Sequence, residues 1–248
     1  MNNNNEDIIQ NDETAAKPPK DVLSELNNID SLSQYLKSTV GKREGRAIPP
    51  LDKWHPKDVA DMDLVIKANG EWWHEGGQMT RESLVSLFAT ILWKEDNNGI
   101  IEYFLKTPVQ KIRIQVEDAP LLINDVGIVN EGNNRWLEFT TTTGDVVRLD
   151  DEHTITLKAY NPTDNDTIDQ QTAAINTENS QQTAIDMQVR PYMPVRNGLD
   201  ALIGRNTFYH LTEIGELTEQ NGETILTLQS GGKSYELSMP DSNARSQS

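Results

Sequence analysis

The sequence predicts an α+β fold in which strand and helix signals alternate along the chain. Three observations point there. Short runs of period two are bounded by Asn-Gly and Gly-Gly turns at 69–70, 221–222 and 231–232. Two longer runs, at 80–93 and 195–214, space their apolar residues as a helix does. An internal echo sets Arg81, Leu84 and Leu87 of "MTRESLVSLF" against Arg196, Leu199 and Leu202 of "PVRNGLDALI", which suggests a duplicated strand–helix unit.

In chain order, residues 1–20 are Asn-rich and acidic, too polar to order themselves by burial. In "DVLSELNNIDSLSQYLK", Val22, Leu23, Leu26, Ile29, Leu32 and Leu36 predict a short amphipathic helix at 21–37, docked on the body or on a partner. "GKREGRAIPP" reads as a linker, and the body starts near Ile48. "DLVIKANGEWWHE" predicts a hairpin with a type I′ turn at Asn69–Gly70. That turn sets Ile66 opposite Trp73 and Lys67 opposite Trp72, so Trp73 belongs to the core and Trp72 lies beside Lys67. "TRESLVSLFATILW" follows as a helix with Thr80 as N-cap and Leu84, Leu87, Phe88 and Leu92 on one face. Strand patterns fill 103–159, and "VRNGLDALIGRNTFYHLTEI" reads as a second helix. "ELTEQNGETILTLQSGGKSYELSM" closes as a three-stranded meander. Between these, 161–187 is a polar insertion that repeats "QQTA". The expected layout is an acidic extension at 1–45, an N-terminal α+β domain at 46–100, a C-terminal domain at 101–240 carrying the 161–187 insertion, and a disordered tail at 241–248.

Charge excludes some functions. The chain of 248 residues has a net charge of −17, which disfavours general nucleic-acid binding. Residues 1–34 and 161–187 each contribute −5, leaving −7 for the rest, so a local anion site is compatible with the body. There is no cysteine, which removes disulfides, thiolate chemistry and Cys-based zinc sites. No run reaches the roughly 18 apolar residues of a membrane span, and the N-terminus lacks a secretory pattern. A soluble cytoplasmic protein without a cofactor is expected.

Several motifs dissolve on inspection. A metal-binding HExxH starting at His74 needs a histidine where Gln78 stands, and His55, His74, His153 and His210 are scattered. "SGGKSY" lacks the first glycine of a phosphate loop, because Thr227 holds that place. Asp164, Asp166 and Asp169 imitate a calcium loop, but Ile168 breaks it. Asp58, Asp61 and Asp63 read as a solvated turn ahead of a strand, with magnesium binding as the rival use. Glu117 and Asp118 are a carboxylate pair for acid–base work or for ion pairing with arginine. The arginines Arg81, Arg190, Arg196 and Arg205, with Tyr192 and Tyr209 beside three of them, suit phosphate and base recognition or internal ion pairs with Glu117, Asp118 or Asp200.

"IPPLDKWHP", "DMDLVIKANGEWWHEGGQMTRESLVSLF", "YFLKTPVQKIRIQVEDAP" and "VRPYMPVRNGLDALIGRNTFYHL" resemble a bacterial family, number 1285 in the domain-of-unknown-function series, over about Ile48 to Leu237. The N-terminal extension and the 161–187 insertion stand outside the resemblance. It implies two α+β domains built from a repeated motif, the C-terminal one resembling a pleckstrin-homology-like barrel. It also implies a ligand cleft between them and a role in signal transduction. The matching polar positions are Arg81, Lys111, Arg113, Glu117, Asp118, Arg190, Tyr192, Arg196, Arg205 and Tyr209.

The leading expectation is a non-enzymatic regulatory protein holding a small anionic, nucleotide-like ligand between its domains. A protein–protein adaptor is the alternative. A metal-dependent phosphate-ester hydrolase using Asp61, Asp63, Glu117 or Asp118 comes third.

Overall fold

In the computed structural model, period-two runs fold into two six-stranded sheets and a three-stranded one, with three helices, over the described residues Leu26, 28–40, 48–160 and 188–239. The expectations for 1–20, 161–187 and 241–248 fall outside these. The first sheet holds β1 (Asp58–Ile66), β2 (Trp72–His74), β3 (Gly77–Gln78), β4 (Leu92–Asn97), β5 (Ile100–Lys106) and β6 (Gln110–Val116) in the order β3-β2-β1-β6-β5-β4. Each wing is an antiparallel meander, and the wings meet where β1 runs parallel to β6. A parallel pair needs a crossover. The chain makes it through α2 (Glu82–Ala89), between β3 and β4.

The second sheet repeats that topology. It comprises β7 (Leu121–Glu131), β8 (Asn134–Thr141), β9 (Val146–Arg148), β10 (Thr156–Tyr160), β11 (Gln188–Arg196) and β12 (Leu199–Ile203) in the order β10-β11-β12-β7-β8-β9. Its first and last strands again run parallel at the centre. The chain passes between sheets at 117–120, later than the change near residue 100 that the sequence suggests. Next come α3 (Arg205–Ile214) and the expected meander, β13 (Glu216–Gln220), β14 (Glu223–Ser230) and β15 (Lys233–Met239). None of the sheets closes on itself, so the barrel expected of the C-terminal half is here an open sheet.

One apolar cluster runs through both large sheets. Leu64, Ile66, Leu105 and Ile112 of the first lie under Phe88 of α2, and Ile123, Phe139, Leu199 and Ile203 of the second continue it. Of the amphipathic helix expected at 21–37, α1 (Ile29–Val40) is the described part; Leu26 lies in a turn before it, and 21–25 fall outside the described residues. Leu26, Leu32 and Leu36 are fully buried, so it docks on the body, against α2. Each buried leucine contributes about 1.5–3 kcal/mol.

Four local expectations change. Ile66 pairs with Trp72, not Trp73, because the β1–β2 loop has three residues. Lys67 accepts from Gly70 N and donates its own N–H to Glu71, and Gly70 alone takes positive φ, at 85°. A one-residue slip exchanges the two faces of a strand. Trp72 is therefore 3% exposed in the core, while Trp73 is half-buried with Nε1 donating to Glu71. Second, α2 ends at Ala89 and has Arg81, not Thr80, at its N-cap, with no side-chain capping bond. Third, Val195–Ile203 is a hairpin around Asn197–Gly198, both at positive φ, and the helix starts only at Arg205. The Arg81/Arg196 echo therefore lays a helix start over a hairpin. Fourth, Asp58, Asp61 and Asp63 lie within β1 rather than in a turn before it.

The slip makes a stability difference. Trp72→Ala is expected to lower unfolding free energy by about 3–5 kcal/mol, as removal of a core aromatic does. Trp73→Ala should cost about 1 kcal/mol or less. Denaturant unfolding of both variants checks this, and the reverse order would restore the two-residue turn.

Candidate functional site

The connector after β6 points two carboxylates in different directions. Glu117 turns back on its own sheet, accepting from Lys67 Nζ at 2.6 Å and Ala68 N at 3.0 Å. Asp118 turns to the second sheet, where Arg190 Nη1 donates at 2.7 Å and Tyr192 Oη at 2.6 Å. Its side chain is 7% exposed. Arg190 and Tyr192 share a face of β11 because side chains two apart on a strand point the same way.

β10 completes the cluster. Lys158 stands directly across the ladder from Arg190. Like charges in that position repel, and each has its own carboxylate: Asp118 for Arg190 and, at 2.9 Å, Asp200 for Lys158. Tyr160, two residues along, lies under the Arg190 guanidinium at 3.5 Å, a stacking contact suited to arginine's flat fork. Tyr103 arrives from β5 of the other sheet. Burial, then the charges of Asp200 and Asp118, push its hydroxyl up to about 12. Burial and the bond to Asp118 likewise hold Tyr192 above the ordinary tyrosine range. Beside them an open groove of about 280 Å³ is lined by Ile101, Tyr103, Ile114 and Val116, with Glu102, Arg113, Gln115 and Glu117.

Of the expected site residues, the structure thus gathers Asp118, Arg190 and Tyr192, with Glu117 and Arg113 lining the groove. The others stand apart. Lys111 bonds to Glu95 at 2.6 Å, and even Arg113, on the groove, is held by Asp61 at 2.8 Å and Glu102 at 2.9 Å. Arg196 is largely buried, its Nε on Asp145 at 2.8 Å and its Nη2 on the carbonyl of Ala89 at 2.6 Å. Arg81 opens α2 and Arg205 opens α3, both exposed, with Tyr209 one turn after Arg205 and 56% exposed. The carboxylates named for metal chemistry are dispersed in the same way: Asp61 on Arg113, Glu117 on Lys67, Asp118 on Arg190. Sequence reasoning missed Tyr103, Lys158, Tyr160 and Asp145. The only available signal was alternation in "TLKAY", and the 161–187 insertion separates that strand from its partner.

The tyrosines predict a pH effect. Between about pH 10 and 12 the unfolded chain loses the Tyr103 proton while the folded chain keeps it. Stability therefore falls as pH rises through that window. Denaturant unfolding across it should show the fall, flattened in Tyr103→Phe. An equally steep fall in Tyr103→Phe would remove Tyr103 as its source.

A family model described as "Domain of unknown function (DUF1285), N-terminal domain" matches residues 49–119, ending at the connector between the sheets. A second, "Protein of unknown function (DUF1285), C-terminal domain", matches 167–237. No curated protein matches the chain. No helix among the described residues is long and apolar enough to cross a membrane. A DUF1285 family protein from Silicibacter pomeroyi DSS-3, with a crystal structure at 2.50 Å, is 28% identical. That match covers 82% of this chain and 94% of that one, with a TM-score of 0.57. One from Shewanella baltica OS155, at 1.40 Å, is 27% identical over 61% of this chain and 91% of its own, with a TM-score of 0.38. With both domain models matched in order along more than half of its length, the chain belongs to the DUF1285 family.

Proposed function

We propose that the chain is a non-enzymatic cytoplasmic regulatory protein that binds a small anionic, nucleotide-like ligand where its two large sheets meet. One observation carries the reading. Arg190 lies over the ring of Tyr160 and is fixed by Asp118 and Gln188, yet among the described residues these bonds use two of the five N–H donors that a guanidinium has. A fork already fixed in place loses little freedom when it takes a phosphate. The groove beside it supplies the half-buried ring of Tyr103, for a base to stack on. Glu117 also lines the groove, and its carboxylate is the acceptor offered to ribose hydroxyls or exocyclic amines. Small-molecule pockets run from about 300 Å³ upward, so a ligand of mononucleotide size fits this groove better than a larger one.

Two further parts belong to the same proposal. The shared topology of the six-stranded sheets supports a duplicated unit, with different residue correspondences from the Arg81/Arg196 echo. The second sheet with α3 and the meander forms the pleckstrin-like half. The adaptor reading keeps one observation of its own. The outer edge of β13 has no strand beside it among the described residues, and Leu217 on it is 49% exposed, an edge suited to strand addition.

A thermal-shift screen of the full chain against nucleotides, cyclic dinucleotides and phosphorylated metabolites tests the proposal. A ligand at a hundred times its dissociation constant stabilises by about 2.7 kcal/mol, which raises Tm by roughly 5–10 °C. Arg190→Lys keeps the charge on Asp118 but loses the fork, and should lose at least half of the shift. Silence across the panel moves the adaptor reading to first place.

A further inference from the structure

Lys106 is the one basic residue that is buried among the described residues, at 5% exposure. Its ammonium makes no hydrogen bond or ion pair with them; its neighbour is the ring of Trp93, 3.7 Å from Nζ to the centroid. An ammonium carries three N–H donors and no acceptor. With no protein acceptor and only restricted access to water, it is poorly satisfied. Lys111 makes the situation sharper, since it stands directly opposite Lys106 on the β5–β6 ladder.

The pleat puts this pair on the outer face of the first sheet. Leu92, Leu105 and Ile112 occupy the core face, so Trp93, Glu95, Phe104, Lys106 and Lys111 share the other. Glu95 is the only carboxylate bonded within that group. Its Oε2 accepts from Lys111 at 2.6 Å and its Oε1 from Trp93 Nε1 at 3.2 Å. Glu95, and after it Asp52, act on Lys106 through their charge, but neither makes a bond to it. Burial holds the Lys106 ammonium below the ordinary lysine range. The nitrogen is not sealed in. The fully buried, unpartnered side-chain polar atoms among the described residues are Gln110 Oε1 and Arg196 Nη1, so Lys106 Nζ keeps an opening to solvent.

We propose that Lys106 and Lys111 form an anion site on the outer face of the first sheet that takes a phosphate group, with Trp93 and Phe104 as its walls. A phosphate oxygen supplies the acceptor that Lys106 lacks, and its charge relieves the repulsion across the ladder. The site shares no residue with the Arg190 cluster and stands independently of the ligand proposed there.

Isothermal titration calorimetry on the full chain, with inorganic phosphate in one arm and glycerol phosphate in the other, is the test. One-to-one saturable binding is expected, with the tighter arm identifying free or esterified phosphate as the natural form. Lys106→Met keeps the bulk and removes the donors. It should weaken binding by about tenfold or more, the loss of a charge-assisted hydrogen bond. Lys106→Arg should retain binding, and so should Arg190→Lys, which separates this site from the groove. No saturable binding in either arm, or binding by Lys106→Met as tight as in the unaltered chain, overturns the proposal. If Lys106→Met fails to fold, Lys106→Gln serves as the neutral variant on the same criteria.

Discussion

The guanidinium of Arg196 ties the two halves of the molecule together by polar contact. It sits at the end of β11 in the second sheet and reaches the carbonyl of Ala89, the last residue of α2 in the first half. A cation at a helix C-terminus meets both an unsatisfied carbonyl and the negative end of the helix dipole. The same group is aligned from behind by Asp145, which also accepts from the hydroxyls of Thr141 and Thr143 in a buried cluster. The planar arginine fork serves both acceptors at once, Nε on Asp145 and Nη2 on Ala89. The position therefore reads as structural, although in sequence it has the look of a ligand-binding arginine. The apolar cluster continues across the same boundary but fixes no angle by itself, since burial is not directional.

Close packing at a second point on the boundary explains why the first hairpin departs from its sequence signal. Gly70 lies against Leu122, the second residue of β7, and a Cβ on it would come within 2.8 Å of that side chain. Glycine is needed there for space as well as for its φ of 85°. Asn69 keeps negative φ and instead accepts from Glu71 N at 3.0 Å. The two-residue reading assumes that Asn-Gly occupies both central turn positions. It does so at Asn98–Gly99, Asn197–Gly198 and Asn221–Gly222, where both residues have positive φ. At 69–70 the tertiary contact wins, and with it the choice of which tryptophan is buried.

Much of the fold is legible locally: the α1 stripe, the closing meander and most of the strand content follow from period and turn residues. What is lost depends on partners distant in sequence. The hairpin at Val195–Ile203 reads as a helix because Leu199 and Leu202 also fit helical spacing, and its own Asn-Gly turn is the better guide. Arg190 and Asp118 are 72 residues apart, so pairing of arginine with carboxylate is foreseeable as chemistry but not as a particular pair. Lys106 escapes notice because alternation in "YFLK" places it outward, and its burial comes from neighbouring strands.

In this acidic chain Arg113, Arg190 and Arg196 face a carboxylate, as do Lys67, Lys111 and Lys158. The more open of these pairs, Lys67–Glu117, Arg113–Asp61 and Lys158–Asp200, add little stability, while Arg190–Asp118 and Arg196–Asp145 are largely buried; together they set what an incoming anion meets. At the site proposed around Arg190 a phosphate would arrive beside an ion pair already made, so charge alone would gain it little. Discrimination there would come from stacking and hydrogen bonds in the groove. At Lys106 there is no bonded carboxylate to displace, and the attraction is mainly electrostatic. The two proposed sites therefore differ in kind: the groove would select for the organic part of a ligand, and the outer face would respond chiefly to the charge of a phosphate group.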